Sequence, residues 1–275
     1  MKFTAAAVQF HPDFTDGEAN LEKMETLLGR VVAEHPGVRL VVMPELATTG
    51  YECAERFARL AEVPAEAESV RRMAARCKEH SVHLAYGFAE RDAERSDVLY
   101  NSVALIDDRG RLAGVYRKAH LFAGEKRWFC PGESFPVFET SLGRLGIFVC
   151  WDTLFPEVAR ILALKGAELL VVPTNWEKPY DHDWELAASA RALDNTLHLI
   201  GANRVGPDRD YDFFGKSRIV DPRGRVLASL DDEVEGYVVA TIDTGETARL
   251  RREYYTLLQD RRPEAYGEIT RPDAT

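Results

Sequence analysis

Short apolar runs, each closed by a charged or turn-forming residue, recur along this 275-residue chain. Their patterning is alternating or continuous, not helical, so they predict strands near residues 3–10, 40–44, 82–90, 99–107, 111–117, 145–149, 169–173 and 197–203. Shorter ones are expected near 217–220, 226–229 and 236–242. Between them, apolar positions recur at helical spacing. Leu21, Met24, Leu27, Leu28 and Val31 mark a helix over 18–34, and Val70, Met73, Ala74 and Cys77 mark one over 65–80. Further helices are expected over 157–165, 185–195 and 244–250. The first two stripes read as core faces, which assigns Cys77 to packing. Strands alternating with helices, then paired strands with short turns, give a mixed α/β system. Asp107-Asp108-Arg109-Gly110 and Asp221-Pro222-Arg223-Gly224 are hairpin-like turns that each lead into a strand, which hints at a duplicated unit. No linker-like segment divides the chain, so one domain is expected over 1–253. Residues 254–275, rich in Arg, Pro and Glu, are expected to form a C-terminal arm.

Three run ends carry chemistry. Cys150 closes Leu145-Gly146-Ile147-Phe148-Val149 and precedes a helix, where the helix dipole and free N–H groups would favour a thiolate. Glu45 closes Leu40-Val41-Val42-Met43-Pro44. Lys118 follows Val115-Tyr116-Arg117. Each alone reads as an ordinary strand end or a buried thiol. Charged residues that close several strands of one sheet system point instead to a shared crevice at the sheet edge.

These motifs resemble the nitrilase superfamily of carbon–nitrogen hydrolases. Glu45 in Met43-Pro44-Glu45-Leu46, Lys118 in Tyr116-Arg117-Lys118-Ala119-His120, and Cys150 before Trp151-Asp152 look like that family's Glu-Lys-Cys triad. The string Gly124-Glu125-Lys126-Arg127-Trp128-Phe129-Cys130-Pro131-Gly132 places Glu125 at the family's second glutamate. Val172-Pro173-Thr174-Asn175-Trp176, Ala190-Arg191-Ala192-Leu193-Asp194-Asn195 and Phe214-Gly215-Lys216-Ser217 continue the match in the family's order. The resemblance implies a four-layer α-β-β-α sandwich of two mixed sheets. It implies Cys150 as nucleophile, Glu45 as general base, Lys118 as oxyanion stabiliser and Glu125 beside them, with a thioester intermediate and no cofactor. Trp151, Asn175, Trp176 and Trp128 are expected at the substrate, and Arg191 and Asn195 are expected to brace loops. The resemblance also implies a homodimer or higher homo-oligomer, paired through the helices over 157–165 and 185–195.

Composition narrows the alternatives. A net charge of −10 argues against a nucleic-acid surface, and the short basic run Arg249-Leu250-Arg251-Arg252 reads as a solvated helix face. No apolar run reaches membrane-spanning length. The four cysteines form no CxxC pair, and there is no HExxH or Cys/His cluster, so neither a disulfide framework nor a metal site is expected. No export signal is evident, and a reducing cytoplasm is the expected setting. The leading expectation is hydrolysis of a small amide. A carbamoyl-amide hydrolase comes second, because the strings around Glu125 and Cys150-Trp151-Asp152 resemble N-carbamoyl amidohydrolases. A nitrilase comes third, since those carry Cys-Trp-Glu. A non-catalytic binding module is disfavoured by retention of all four polar residues. The local charge balance favours neutral or cationic amides, with Arg204 as an anchor should the substrate be an acid.

Overall fold

The computed structural model describes residues 1–271. Its elements run β1 (Lys2–Gln9), α1 (Gly17–Glu34), β2 (Val38–Val42), α2 (Phe57–Leu60), α3 (Glu68–His80), β3 (His83–Arg91), β4 (Leu99–Ile106) and β5 (Leu112–Arg117). They continue with β6 (Val137–Thr140), β7 (Gly143–Ile147), α4 (Pro156–Leu164), β8 (Leu169–Thr174), α5 (Asp181–Asn195) and β9 (His198–Asn203). The last are β10 (Val205–Asp208), β11 (Tyr211–Phe214), β12 (Ser217–Val220), β13 (Val226–Leu230), β14 (Gly236–Asp243) and α6 (Thr244–Glu253).

Two six-stranded sheets result, in the orders β14-β1-β2-β3-β4-β5 and β13-β12-β9-β8-β7-β6, with β10 and β11 as a separate hairpin. Central strands pair in parallel and outer ones antiparallel in both sheets. Strand periodicity then sorts the layers. In β1, Ala5 and Ala7 join a core shared with Ile147, Val171 and Ile200 of the second sheet. Ala6 and Val8 turn the other way, onto Met24, Leu28 and Met73 of α1 and α3. Val158, Leu162, Trp184 and Ala188 of α4 and α5 cover the second sheet. The order is helix, sheet, sheet, helix. Every residue of β4, β8 and β9 is buried, as expected of strands covered on both faces.

Helix limits follow local chemistry. The Asp16 side chain accepts from the Ala19 N–H at 3.1 Å and starts α1. Ser81, in the left-handed conformation, ends α3. The paired turns are near copies. Asp107 Oδ1 accepts from the Arg109 and Arg111 N–H groups, both at 2.9 Å, and Asp221 Oδ1 accepts from those of Arg223 and Arg225 at 2.8 and 2.9 Å.

Two expectations need correction. Strand β6 and the hairpin β10–β11 were not predicted. The first is a short, half-exposed edge strand, and the second carries Pro207 and Asp208. The helix expected over 157–165 is α4, but a 3₁₀ turn over Cys150–Leu154 stands between it and the bend at Cys150. The C-terminal segment follows α6 and lies along α4. Leu257, Arg261, Tyr266 and Ile269 face Arg160, Ile161 and Leu164 of α4 across a groove of about 750 Å³. Residues 272–275 of the expected arm lie outside those described.

Candidate active site

Glu45 sits on the loop after β2. That loop is strapped to β3 by Gly87 N–H to Pro44 O and Ala47 N–H to Gly87 O, both at 2.9 Å. The approach requires glycine: a Cβ on Gly87 would lie 2.4 Å from Leu46 N and 2.5 Å from Glu45 Cα. Lys118 follows β5 directly, and its backbone is held by Asn101 O and the Gly132 N–H, each at 2.8 Å. Glu125 lies on a 3₁₀ turn over Ala123–Arg127.

These three side chains meet in the interior. Lys118 Nζ donates to Glu45 Oε1 at 2.7 Å and to Glu125 Oε1 at 2.8 Å, with Lys118 and Glu45 wholly buried. Asn101 Nδ2 also donates to Glu45 Oε1, at 2.6 Å, which leaves Glu45 Oε2 buried without a partner. Glu125 has no such vacancy. Its Oε1 also accepts from the Tyr51 hydroxyl at 2.9 Å, and its Oε2 from the Phe122 N–H at 3.0 Å. Glu45 is therefore the carboxylate with a free lone pair, and Glu125 is a fixed support.

Electrostatics reinforce the division. Burial pushes the Glu45 carboxyl up to about 7 against the pull of Lys118. Burial opposes charge on Lys118, but the Glu125 and Glu45 charges prevail and hold the ammonium well above its usual range. Burying such ions costs several kcal/mol each, which is more often the signature of a working site than of a stabilising one.

Cys150 ends the β7 run at a sharp bend, with φ of 45°. Asp152 holds the bend. Its Oδ2 accepts from the Val149 N–H at 3.0 Å and the Tyr116 hydroxyl at 2.7 Å, and its Oδ1 from the His120 N–H at 2.9 Å. The thiol contacts Asn175 O at 3.6 Å. The expected thiolate is not supported. Burial, then the Glu45 charge, pushes the thiol well above its usual range despite Lys118, and the single 3₁₀ turn after it is no substitute for a full helix dipole. A protonated thiol beside a carboxylate with an open lone pair is an arrangement for base-assisted attack.

The other expected residues divide. Trp151 and Trp176 line a hollow of about 190 Å³ that opens onto Cys150, along with Phe122, Glu177 and Tyr180. Trp128 lines a neighbouring hollow of about 100 Å³ with Tyr51, Glu125 and Arg209. Asn175 does not reach the hollow. It is buried, and its Nδ2 donates to Glu45 O at 3.0 Å, bracing the loop that carries Glu45. Arg204 is no anchor for an acid: it is buried and paired with Asp208 at 2.8 Å. Arg191 braces as expected, donating to Thr153 O at 3.2 Å. Asn195 Nδ2 ties back to Arg191 O at 3.0 Å. Sequence reasoning missed Tyr51 and Asn101. Neither closes an apolar run next to a motif, and each matters only through a partner 74 or 56 positions away.

Comparison with known proteins agrees with this geometry. The family model for carbon–nitrogen hydrolases matches residues 4–252. A probable nitrilase of Schizosaccharomyces pombe is 46% identical over 272 residues, covering 99% of this chain and 100% of that one. A citrullinase of Francisella tularensis is 35% identical, covering 94% and 95%. The solved structure of a Nesterenkonia amidase, in which the acetamide moiety of fluoroacetamide is covalently added at the active-site cysteine, has a TM-score of 0.83 at 27% identity and covers 96% and 95%. With two mixed sheets faced by helices, and with these matches along nearly its whole length, the chain belongs to the carbon–nitrogen hydrolases of the nitrilase superfamily.

Proposed function

We propose that this enzyme hydrolyses a small non-peptide amide to a carboxylic acid and ammonia, through a thioester on Cys150. The observation that carries the reading is the free Glu45 Oε2 in a buried cluster where every other carboxylate oxygen has a partner. The Cys150 Sγ–H bond breaks as Sγ attacks the carbonyl carbon, and the proton passes to Glu45. The carbonyl π electrons move to oxygen. Lys118 and the Trp151 N–H, which has no helical acceptor in the first turn, stabilise that charge. One such donor is worth about 3–4 kcal/mol in the transition state. Collapse of the intermediate breaks the C–N bond, and Glu45 returns its proton to the departing nitrogen. Water then attacks the thioester, giving one proton to Glu45, which restores it to Sγ as the acid leaves. Glu125 touches no reacting atom and positions Lys118.

The 190 Å³ hollow has the volume of about six waters, which supports a short substrate. The resemblance to the citrullinase and the Cys150-Trp151-Asp152 string support a second reading, an N-carbamoyl group as the scissile amide, with the same proton path. Asp152 itself does not select between amide and nitrile, since its carboxylate is spent on holding the bend. Ammonia release from a panel of amides, carbamoyl compounds and nitriles separates these readings. Mass spectrometry of enzyme with substrate should find an acyl adduct on the peptide containing Cys150. A folded Cys150→Ala enzyme with substantial turnover would overturn the mechanism.

We also propose a homodimer formed through α4 and α5, where Leu164, Leu186 and Leu193 are exposed. Light scattering should give a mass near twice the chain's 30.9 kDa. A monomer at micromolar concentration would exclude it.

A further inference from the structure

Glu177 lies one residue beyond Trp176 and faces the same hollow as Cys150. Its backbone is fixed. It bridges to Phe213 of β11, the next N–H bonds Asp212 O at 2.9 Å, and Glu177 O accepts from the Tyr180 N–H at 3.0 Å. The side chain is half-buried, and among the described residues it forms no ion pair. Among the described residues no other side chain donates to its carboxylate. Such a group is costly to leave unpaired.

Three lysines on the segments around it are each already held by two carboxylates. Lys178 pairs with Asp212 and Glu233, each at 2.8 Å. Lys216 pairs with Asp181 and Glu185 at 2.8 and 2.6 Å. Lys118 is held by Glu45 and Glu125. Asp183 at the rim adds a second negative charge, and no cationic side chain lines this hollow. The remaining wall offers the faces of Phe122, Trp151 and Tyr180. Aromatic faces around a carboxylate suit a positive group, since a ring quadrupole attracts a cation and the carboxylate accepts its N–H bonds.

We propose that Glu177 is a specificity-determining residue that receives a cationic group, a primary ammonium or guanidinium, carried on the substrate a few bonds from the scissile C–N bond. The proposal rests on the reading of the Cys150 hollow as the substrate site. It selects amines over acids, and a substrate short enough to touch Cys150 and Glu177 at once. Burial raises the Glu177 carboxyl above its ordinary range, and an arriving cation would bring it back down.

The test compares γ-aminobutyramide with valeramide, which replaces the ammonium by a methyl group of similar size. The same comparison applies to the N-carbamoyl derivatives of a short diamine and its alkylamine counterpart. In wild type, kcat/KM should be at least tenfold higher for the amine-bearing compound of each pair. Glu177→Gln should lower that ratio tenfold or more, and Glu177→Lys should invert it in favour of glutaramate, the carboxylate-bearing analogue. A wild-type ratio near one, or a ratio that Glu177→Gln changes by less than threefold, overturns the proposal. Calorimetry on Cys150→Ala enzyme keeps the two readings apart. There γ-aminobutyramide should bind, and adding Glu177→Gln should weaken it about tenfold. If no compound is turned over and no acyl adduct forms, the hydrolase reading fails while the binding difference still decides the role of Glu177.

Discussion

The two halves of the molecule share a scaffold and differ in what they mount on it. Reading β14-β1-β2-β3-β4-β5 beside β6-β7-β8-β9-β12-β13, each position matches in order and in parallel or antiparallel sense. Helices α1 and α3 correspond to α4 and α5, and the Asp107 turn corresponds to the Asp221 turn. The polar residues break the correspondence. Glu45 follows β2 in one half, and in the other the strand registers put Thr174, at the end of β8, in its place. Cys150 follows β7, and its counterpart after β1 is the buried Phe10 region. Glu125 belongs to the connection between the halves. The site therefore forms at the seam, and neither half holds a complete set. Asn175, one residue beyond that position, reaches across the seam and donates through Nδ2 to Glu45 O at 3.0 Å. Repetition supplies the frame, and departure from repetition supplies the chemistry.

The comparison can be broken most forcefully at Glu45. Replacing it by Gln keeps the bonds to Lys118 and Asn101 but removes the base. Loss of at least about a thousandfold in kcat/KM is expected, as for removal of an essential group in a concerted unit. A fall below tenfold would move the base elsewhere.

Acidity comes next. Glu45 must be ionised to take the thiol proton, and burial places its carboxyl at about 7. Below that, kcat/KM should fall about tenfold per pH unit, and above it should level. A plateau already reached near pH 5 would refute the assignment. Stability should run the other way. A carboxyl raised on folding contributes stability at low pH that is lost as pH climbs through its unfolded value toward 7. The melting temperature of wild type minus that of Glu45→Gln should accordingly decline between pH 5 and pH 8.

Asn175 tests the contact between the halves. Asn175→Ala leaves Glu45 O without its donor and should cost about 1–3 kcal/mol of stability. It should also lower kcat by about tenfold, with little change in KM, because the base loop loses its brace while the hollow wall stays. A larger change in KM than in kcat would return Asn175 to the substrate. The smallest effect, and the one that tests the likeness itself, is at the turns. Asp107→Ala and Asp221→Ala should each destabilise by about 1–2 kcal/mol and leave kcat unchanged, since both carboxylates hold two backbone N–H groups and one arginine. Chemical denaturation that found one costly and the other silent would show that the halves differ in the scaffold as well.

How legible was this in the sequence? Eleven strand runs could be read from their apolar residues, most of them buried, and Glu45, Lys118 and Cys150 stood out because each closes one. Strand β6 could not be read, since four half-exposed residues leave no periodic signal. Asn101 and Tyr51 carry no local signature, and their roles arise where distant segments meet. The charge state of Cys150 was misread for a related reason. Position at a bend is local, whereas burial beside Glu45 is a property of the assembled interior. Asn175, expected at the substrate, turns its side chain toward the Glu45 loop, which only the packing of two sheets decides.

The pairing of β1 with β14 has a consequence for how the protein is made. The second sheet is contiguous from Val137 to Leu230, but the first borrows its edge strand from Gly236–Asp243. During synthesis β1 emerges early and waits for a partner more than two hundred residues behind it, a delay of roughly ten to fifty seconds at ribosomal speeds. Through that interval its backbone is an open strand edge, the kind of surface that templates aggregation. A chain cut between the halves should accordingly give a soluble C-terminal fragment more readily than an N-terminal one. Supplying residues 236–243 in front of Met1 by a short linker should be the rearrangement that rescues the latter.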